Sequence, residues 1–369
     1  MNRLFRWDQT GLFLLALAAG ILPFAVPEVC AAALREGLTL CNGPLLLSLF
    51  PFLVVSRLLI QCPESDLLAL PFRLAAWGIG IRTPCAARVL CIGFLGGFAP
   101  AASAAAQAVR TGQLTAEEAD ALLPACICSG PSFVVLTVGQ SLLGSAELGV
   151  LLFASQITAN YLTAALLNRF AGVHSVKPGS AAPAFPAPPR LDEILADAAI
   201  TYCKLCGFIL FFRMLAAGAG ALLPAGAGTL CAVLLEVCSG CDLASRTGRW
   251  GSLLCCAALS VQGLSVLLQV RTICPPEMTL RPLYRSRLLH LPLSLALFYL
   301  LLPGGEADVF STLPARILLM RRVPPDCALL VFAVCCMAAC TLRSGIRQVE
   351  QKQMARNAGG CCINSKTLL

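Results

Sequence analysis

The sequence predicts an all-α polytopic membrane protein of about eight to ten apolar helices, arranged as two pseudo-repeats with broken or re-entrant helices. Three observations predict it: a shortage of charge, a succession of apolar runs, and Gly- and Pro-rich interruptions at corresponding places in the two halves. Of 369 residues, 58% are hydrophobic and 12% charged, and mean hydropathy is +0.80. A soluble domain carries roughly 25% charged residues. A core large enough to absorb that deficit would leave too few polar side chains to coat its own outside. Lipid removes the difficulty, so a bilayer is the first partner implied.

The net charge is +8, yet the basic residues stand singly between apolar runs and in the tail. Without interleaved aromatics they form no nucleic-acid surface, and no nucleic-acid partner is expected. Most of the 21 cysteines lie inside apolar runs, as in Cys255-Cys256 and Cys335-Cys336, where Cys packs as a small hydrophobe. Cys203-x-x-Cys206 and Cys238-x-x-Cys241 have metal-like spacing. The two histidines, His174 and His290, lie close to neither pair in sequence, so no metal or other cofactor is expected.

Arg3 and Arg6 precede an apolar run from Gly11 to about Val26. A signal peptide cleaved near Ala31-Ala32-Ala33 is one reading. The length of the run favours an uncleaved first span with a cytoplasmic N-terminus. Pro44 to Ile60 is a second span, with Pro51 expected to kink it. Asp66 to Ile81 is amphipathic and suits the interface. Ala86 to Ala106 carries Gly93, Gly96, Gly97 and Pro100, too many breakers for one straight helix.

Thr115 and Glu118 have capping-box spacing, so a helix restarts at Ala116. It enters a run broken at Gly130-Pro131, and a continuous span follows from Leu148 to about Leu167. His174 to Arg190 is rich in Pro and Ala and reads as a linker. Beyond it come an amphipathic approach from Leu191, interrupted elements around Glu236 and Gln262, and a basic loop with Arg271, Arg281, Arg285 and Arg287. The last spans are about Leu288–Leu302 and Cys327–Leu342. The chain thus divides into an N-terminal span (1–36), a first repeat (37–172), a linker (173–190) and a second repeat (191–303). An outer loop with the last span (304–342) and a basic cytoplasmic tail (343–369) complete it, an arrangement that the positive-inside rule permits.

Backbone breaks at membrane depth persist only where protein or a water-filled cavity receives the freed groups. Corresponding breaks in two halves point to a solute site at the midplane. Glu236, within LLEVC and three residues before Ser239-Gly240, costs at least about 2.5 kcal/mol in lipid. Three roles fit it: solute contact, carrier of a coupling proton or cation, or structural partner of Lys204 or Arg213. Gln262, Ser265 and Gln269 share one helical face and can face either another helix or an aqueous path. Ser129-Gly130-Pro131-Ser132 offers a binding turn or a plain kink. No Gly-x-Ser-x-Gly, Walker or His-Glu-x-x-His motif occurs, so an enzyme is not expected.

Several stretches together resemble the sporulation integral membrane proteins of the YlbJ/SpoVV type, which carry nucleoside-recognition (Gate) domains. They are SLFPFLVVS at Ser48–Ser56, Gly97-Phe-Ala-Pro100, Gln107–Gly112, Ser129–Phe133, Leu235–Gly240 and Gly263–Val270. The resemblance implies a fold similar to concentrative nucleoside transporters and a role in moving dipicolinate across the membrane around the forespore. It places Glu236, Ser239, Ser129, Pro131 and Gln269 on the path. The chain departs from the family pattern at Gly97-Phe-Ala-Pro-Ala101, which lacks a Tyr and a glycine, and at Cys126-Ile-Cys128, Gln262 and Leu267; most of these changes remove polar groups.

The expected function is a multi-pass permease for a small anionic or polar solute, driven by an ion gradient or the solute's own gradient. Its path residues would be Glu236, Ser239, Gly240, Ser129, Gly130, Pro131, Ser132, Pro100, Gln262, Ser265 and Gln269. A non-transporting assembly or signalling protein that keeps the fold is the alternative, and a homo-oligomer stays open.

Overall fold

The computed structural model describes residues 9–62, 65–171 and 190–302, and among them every regular element is helical. The expected linker at 173–190 lies outside these residues except for Arg190, and the outer loop with the last span (304–342) and the basic tail (343–369) lie wholly outside them. After α1 (Gln9–Ala25) come α2 (Pro27–Asn42) and α3 (Pro44–Gln61). Pro27 and Pro44 begin their helices, where a missing N–H costs nothing, and α3 continues helical through Pro51. The proposed boundary at residue 36 therefore falls inside α2. Next are α4 (Ser65–Leu68) and α5 (Leu70–Gly78). The 9 residues of α5 reach only about 14 Å, too short to cross.

Two antiparallel pairs follow the same principle. α6 (Pro84–Gly96) and α7 (Phe98–Arg110) turn on Gly97 alone. A methyl on Gly93 would stand 3.2 Å from Ala101 Cβ, so the arms fold back on each other about residue 97. α8 (Ala116–Cys126) opens with the expected capping box, Thr115 Oγ1 accepting from the Glu118 N–H and Glu118 from the Thr115 N–H. It ends before a non-helical stretch at 127–130, and a π-helix covers Ser132–Leu142. α9 (Ala146–Ala171) and α10 (Leu191–Leu222) are long. The second pair, α11 (Ala225–Leu235) and α12 (Val237–Ser245), turns on Glu236. There a methyl on Gly240 would lie 2.8 Å from Val233 Cα. A 3₁₀ turn (Gly248–Trp250) leads to α13 (Gly251–Val261) and α14 (Gly263–Ile273), separated by Gln262, and α15 (Arg281–Leu301) closes the described chain.

Among the described residues, four stretches are long and apolar enough to cross a bilayer: Pro27–Gln61, Ala146–Ala171, Leu191–Leu222 and Gly248–Ile273. The other apolar runs are cut into shorter helices by the hairpins and breaks. Large apolar side chains face outward, among them Phe24 at 89% exposure, Phe170 at 81% and Leu288 at 78%. Such a surface is at home in hydrocarbon. These features fit a multi-pass membrane protein.

Polar clamps gather one set of helix ends. Arg88 in α6 donates to Ile60 O at the end of α3 at 2.7 Å. Asn168, late in α9, donates to Ile79 O and Ala121 O. Asp120 accepts from Thr279 N and Oγ1 and from Leu280 N, fastening α8 to the turn before α15. The expected basic loop is thus short: Arg281, Arg285 and Arg287 are already in α15, and Arg287 is buried.

Candidate functional site

Each hairpin tip is seated on a backbone break. Gly97 has φ 81, a left-handed conformation that suits glycine. A Cβ there would come within 2.6 Å of Gly130 N, so the first tip rests on the 127–130 stretch. Gln262 and Gly263 both have positive φ, 63 and 68. A Cβ on Gly263 would lie 2.9 Å from Glu236 N, so the second tip rests on the break between α13 and α14.

The two assemblies meet at one carbonyl. Ile127 O accepts from Asn160 Nδ2 at 3.3 Å, Gln262 Nε2 at 3.3 Å and Arg287 Nη1 at 3.4 Å. Arg287 also donates to Asn160 Oδ1. Its guanidinium is buried with no carboxylate partner among the described residues. The group of polar residues continues along α9: Gln156 donates to Ser260 Oγ at 3.0 Å, and the Gln156 carbonyl contacts His290 Nε2 at 3.2 Å.

Glu236, 2% exposed, is the N-cap of α12. Its Oε1 accepts from Cys238 N at 2.8 Å; its Oε2 accepts from Ser239 N at 2.7 Å and Ser239 Oγ at 2.8 Å. The helix N-terminus and these donors stabilise the negative charge. The interruption expected around Glu236 is located here, and one of the three roles expected of the acid changes. The break lies at Glu236 itself, while Ser239 and Gly240 are helical, because the carboxylate captures the N–H groups of the next turn. No salt bridge joins Glu236 to Lys204 or Arg213; Arg213 pairs with Glu36 at 2.7 Å.

A cavity of about 50 Å³ opens beside the carboxylate, lined among others by Glu236, Ser129, Gly130, Ser132 and Gln269. Five of the eleven expected path residues thus share one chamber. Ser239 orients Glu236, and Gly240 lets α12 approach α11. Pro100 packs against Gly96 within the first hairpin, and Pro131 precedes the π-helix. The single polar face expected of Gln262, Ser265 and Gln269 divides. Ser265 accepts from Gln269 Nε2 at 2.9 Å, while Gln262, left-handed at the break, turns to Ile127.

Sequence reading did not single out Arg57, Asn160 or Arg287 as site residues. Arg57, alone inside PFLVVSRLLI, carried the same signal as Glu236, an ionisable group in an apolar run. No family model, curated protein or solved structure matches this chain.

Proposed function

We propose that the chain is a permease for a small anionic or polar organic solute, with two pseudo-repeats whose hairpins re-enter the membrane. The observation that carries this reading is the convergence of two hairpin tips and two backbone breaks around a buried acid beside a small, mostly apolar chamber. The depth agrees with it. From the end of α6 at Pro84, 13 residues lead to the Gly97 tip, about 20 Å, more than half of a hydrocarbon core of about 30 Å. The N-termini of α7, α12 and α14 all start at these tips and breaks, and their positive dipole ends suit a carboxylate-bearing solute. The uncommitted lone-pair capacity of Glu236 would take a proton or cation during the cycle.

The finer reading, dipicolinate movement at the forespore, rests on the family resemblance alone. It is tested by the dipicolinate content of spores from a deletion strain complemented with wild-type or Glu236→Gln protein. Low content restored by wild type and not by Glu236→Gln is expected; normal content without the gene removes the assignment. The small volume of the chamber and its apolar walls, Leu45, Leu49 and Phe98 among them, favour the second reading, a non-transporting assembly or signalling protein. Proteoliposomes separate the two: uptake of labelled solute above protein-free vesicles supports the permease.

A further inference from the structure

We propose that a second cavity, between α3, α7, α10 and α14, binds a small organic anion carrying one or two carboxylates immediately before the Glu236 chamber. The inference rests on the permease reading and names the class of solute. The cavity, about 160 Å³, is lined by Arg57, Arg110, Lys204, Asp197 and Gln269 among others. Three cations face one carboxylate.

Arg57 makes this more than a patch of surface charge. It is 8% exposed and donates to Asp197 Oδ2 at 2.5 Å and to Thr201 Oγ1 at 3.3 Å, yet its Nε has no partner among the described residues. A buried guanidinium needs its donors satisfied, and its planar fork matches a carboxylate. Arg110 and Lys204 are exposed at the mouth, with no ion pair among the described residues, free to attract the same anion.

Gln269 connects this cavity to the first, lining both. It is 2% exposed. Its Nε2 is spent on Ser265 while its buried Oε1 has no partner among the described residues. An O–H or N–H donor on the solute would fill that contact at the boundary. The phosphate of an anionic lipid offers the same oxygens to the three cations, but a lipid headgroup at the mouth does not account for an acceptor held open at the inner end.

The test uses the full chain in phosphatidylcholine nanodiscs, titrated calorimetrically with isophthalate and with its neutral counterpart isophthalamide. Isophthalate should bind at least about ten-fold more tightly, with affinity falling as salt is raised. Lys204→Gln and Arg110→Gln should each weaken it about two- to five-fold. Arg82→Gln, which removes an exposed arginine outside the cavity, should leave it unchanged. Arg57→Gln should abolish binding; if that chain does not fold, the two exposed positions still decide. Equal binding of acid and amide, or full affinity in the Lys204→Gln/Arg110→Gln double variant, overturns the proposal. So does phosphatidylglycerol that co-purifies with wild type but not with the double variant while isophthalate gives no heat. Isophthalate uptake into proteoliposomes keeps the two ideas apart. Binding without uptake sinks the permease and leaves the site standing; uptake unaffected by the double variant sinks the site alone.

Discussion

At Glu236 both carboxylate oxygens face the start of α12, where two backbone N–H groups and the Ser239 hydroxyl supply hydrogen bonds. Glu236→Ala would leave those buried donors unpaired, costing about 1–3 kcal/mol, and should lower the unfolding temperature in detergent. Glu236→Gln keeps an acceptor and should lower it less, while a coupling role predicts that it loses uptake as fully as the alanine variant. Gly97 and Gly263 carry a positive φ together with a backbone neighbour where a Cβ would sit. Gly144 has φ 74 with nothing within 4 Å. Gly144→Ala should therefore cost about 1 kcal/mol for conformation alone, and Gly97→Ala or Gly263→Ala distinctly more. Equal losses of thermal stability at all three positions would count against the tips being seated on the breaks.

Among the elements, α8 is held at its N-cap by Thr115 and about one turn further on by Asp120, groups that can be removed singly. Thr115→Ala should destabilise by about 1 kcal/mol through loss of its cap. Asp120→Ala should cost more, because Thr279 N and Leu280 N would be left without their acceptor. Hydrogen exchange should then rise at Thr279 and Leu280 in the Asp120 variant only. The cap was legible in the sequence because Thr115 and Glu118 are three residues apart and act within one turn. The Asp120 clamp was not, since nothing local relates residue 120 to residue 279. The second hairpin was legible only in part. A carboxylate next to Ser239-Gly240 marks an interruption, but the glycine draws attention to itself while the N-cap geometry breaks the helix at the acid.

For the whole molecule, Arg82, Arg110 and Arg271 lie near the clamped helix ends, and the positive-inside rule predicts that this side faces the cytoplasm. An epitope inserted at Gly112 should be protected in intact spheroplasts, and one at Gly248 accessible. The reverse result inverts the topology. The charge deficit and the long apolar runs determined a helical membrane protein from the sequence alone, because hydrocarbon constrains composition directly and each span satisfies its own backbone. Only the tertiary structure decided that Gly97 meets Gly130, that Gly263 meets Glu236, and that Gln262 and Arg287 share the Ile127 carbonyl. These contacts join residues 27 to 160 positions apart, and their energy comes from steric fit and buried polar groups in three dimensions, which no local pattern along the chain records.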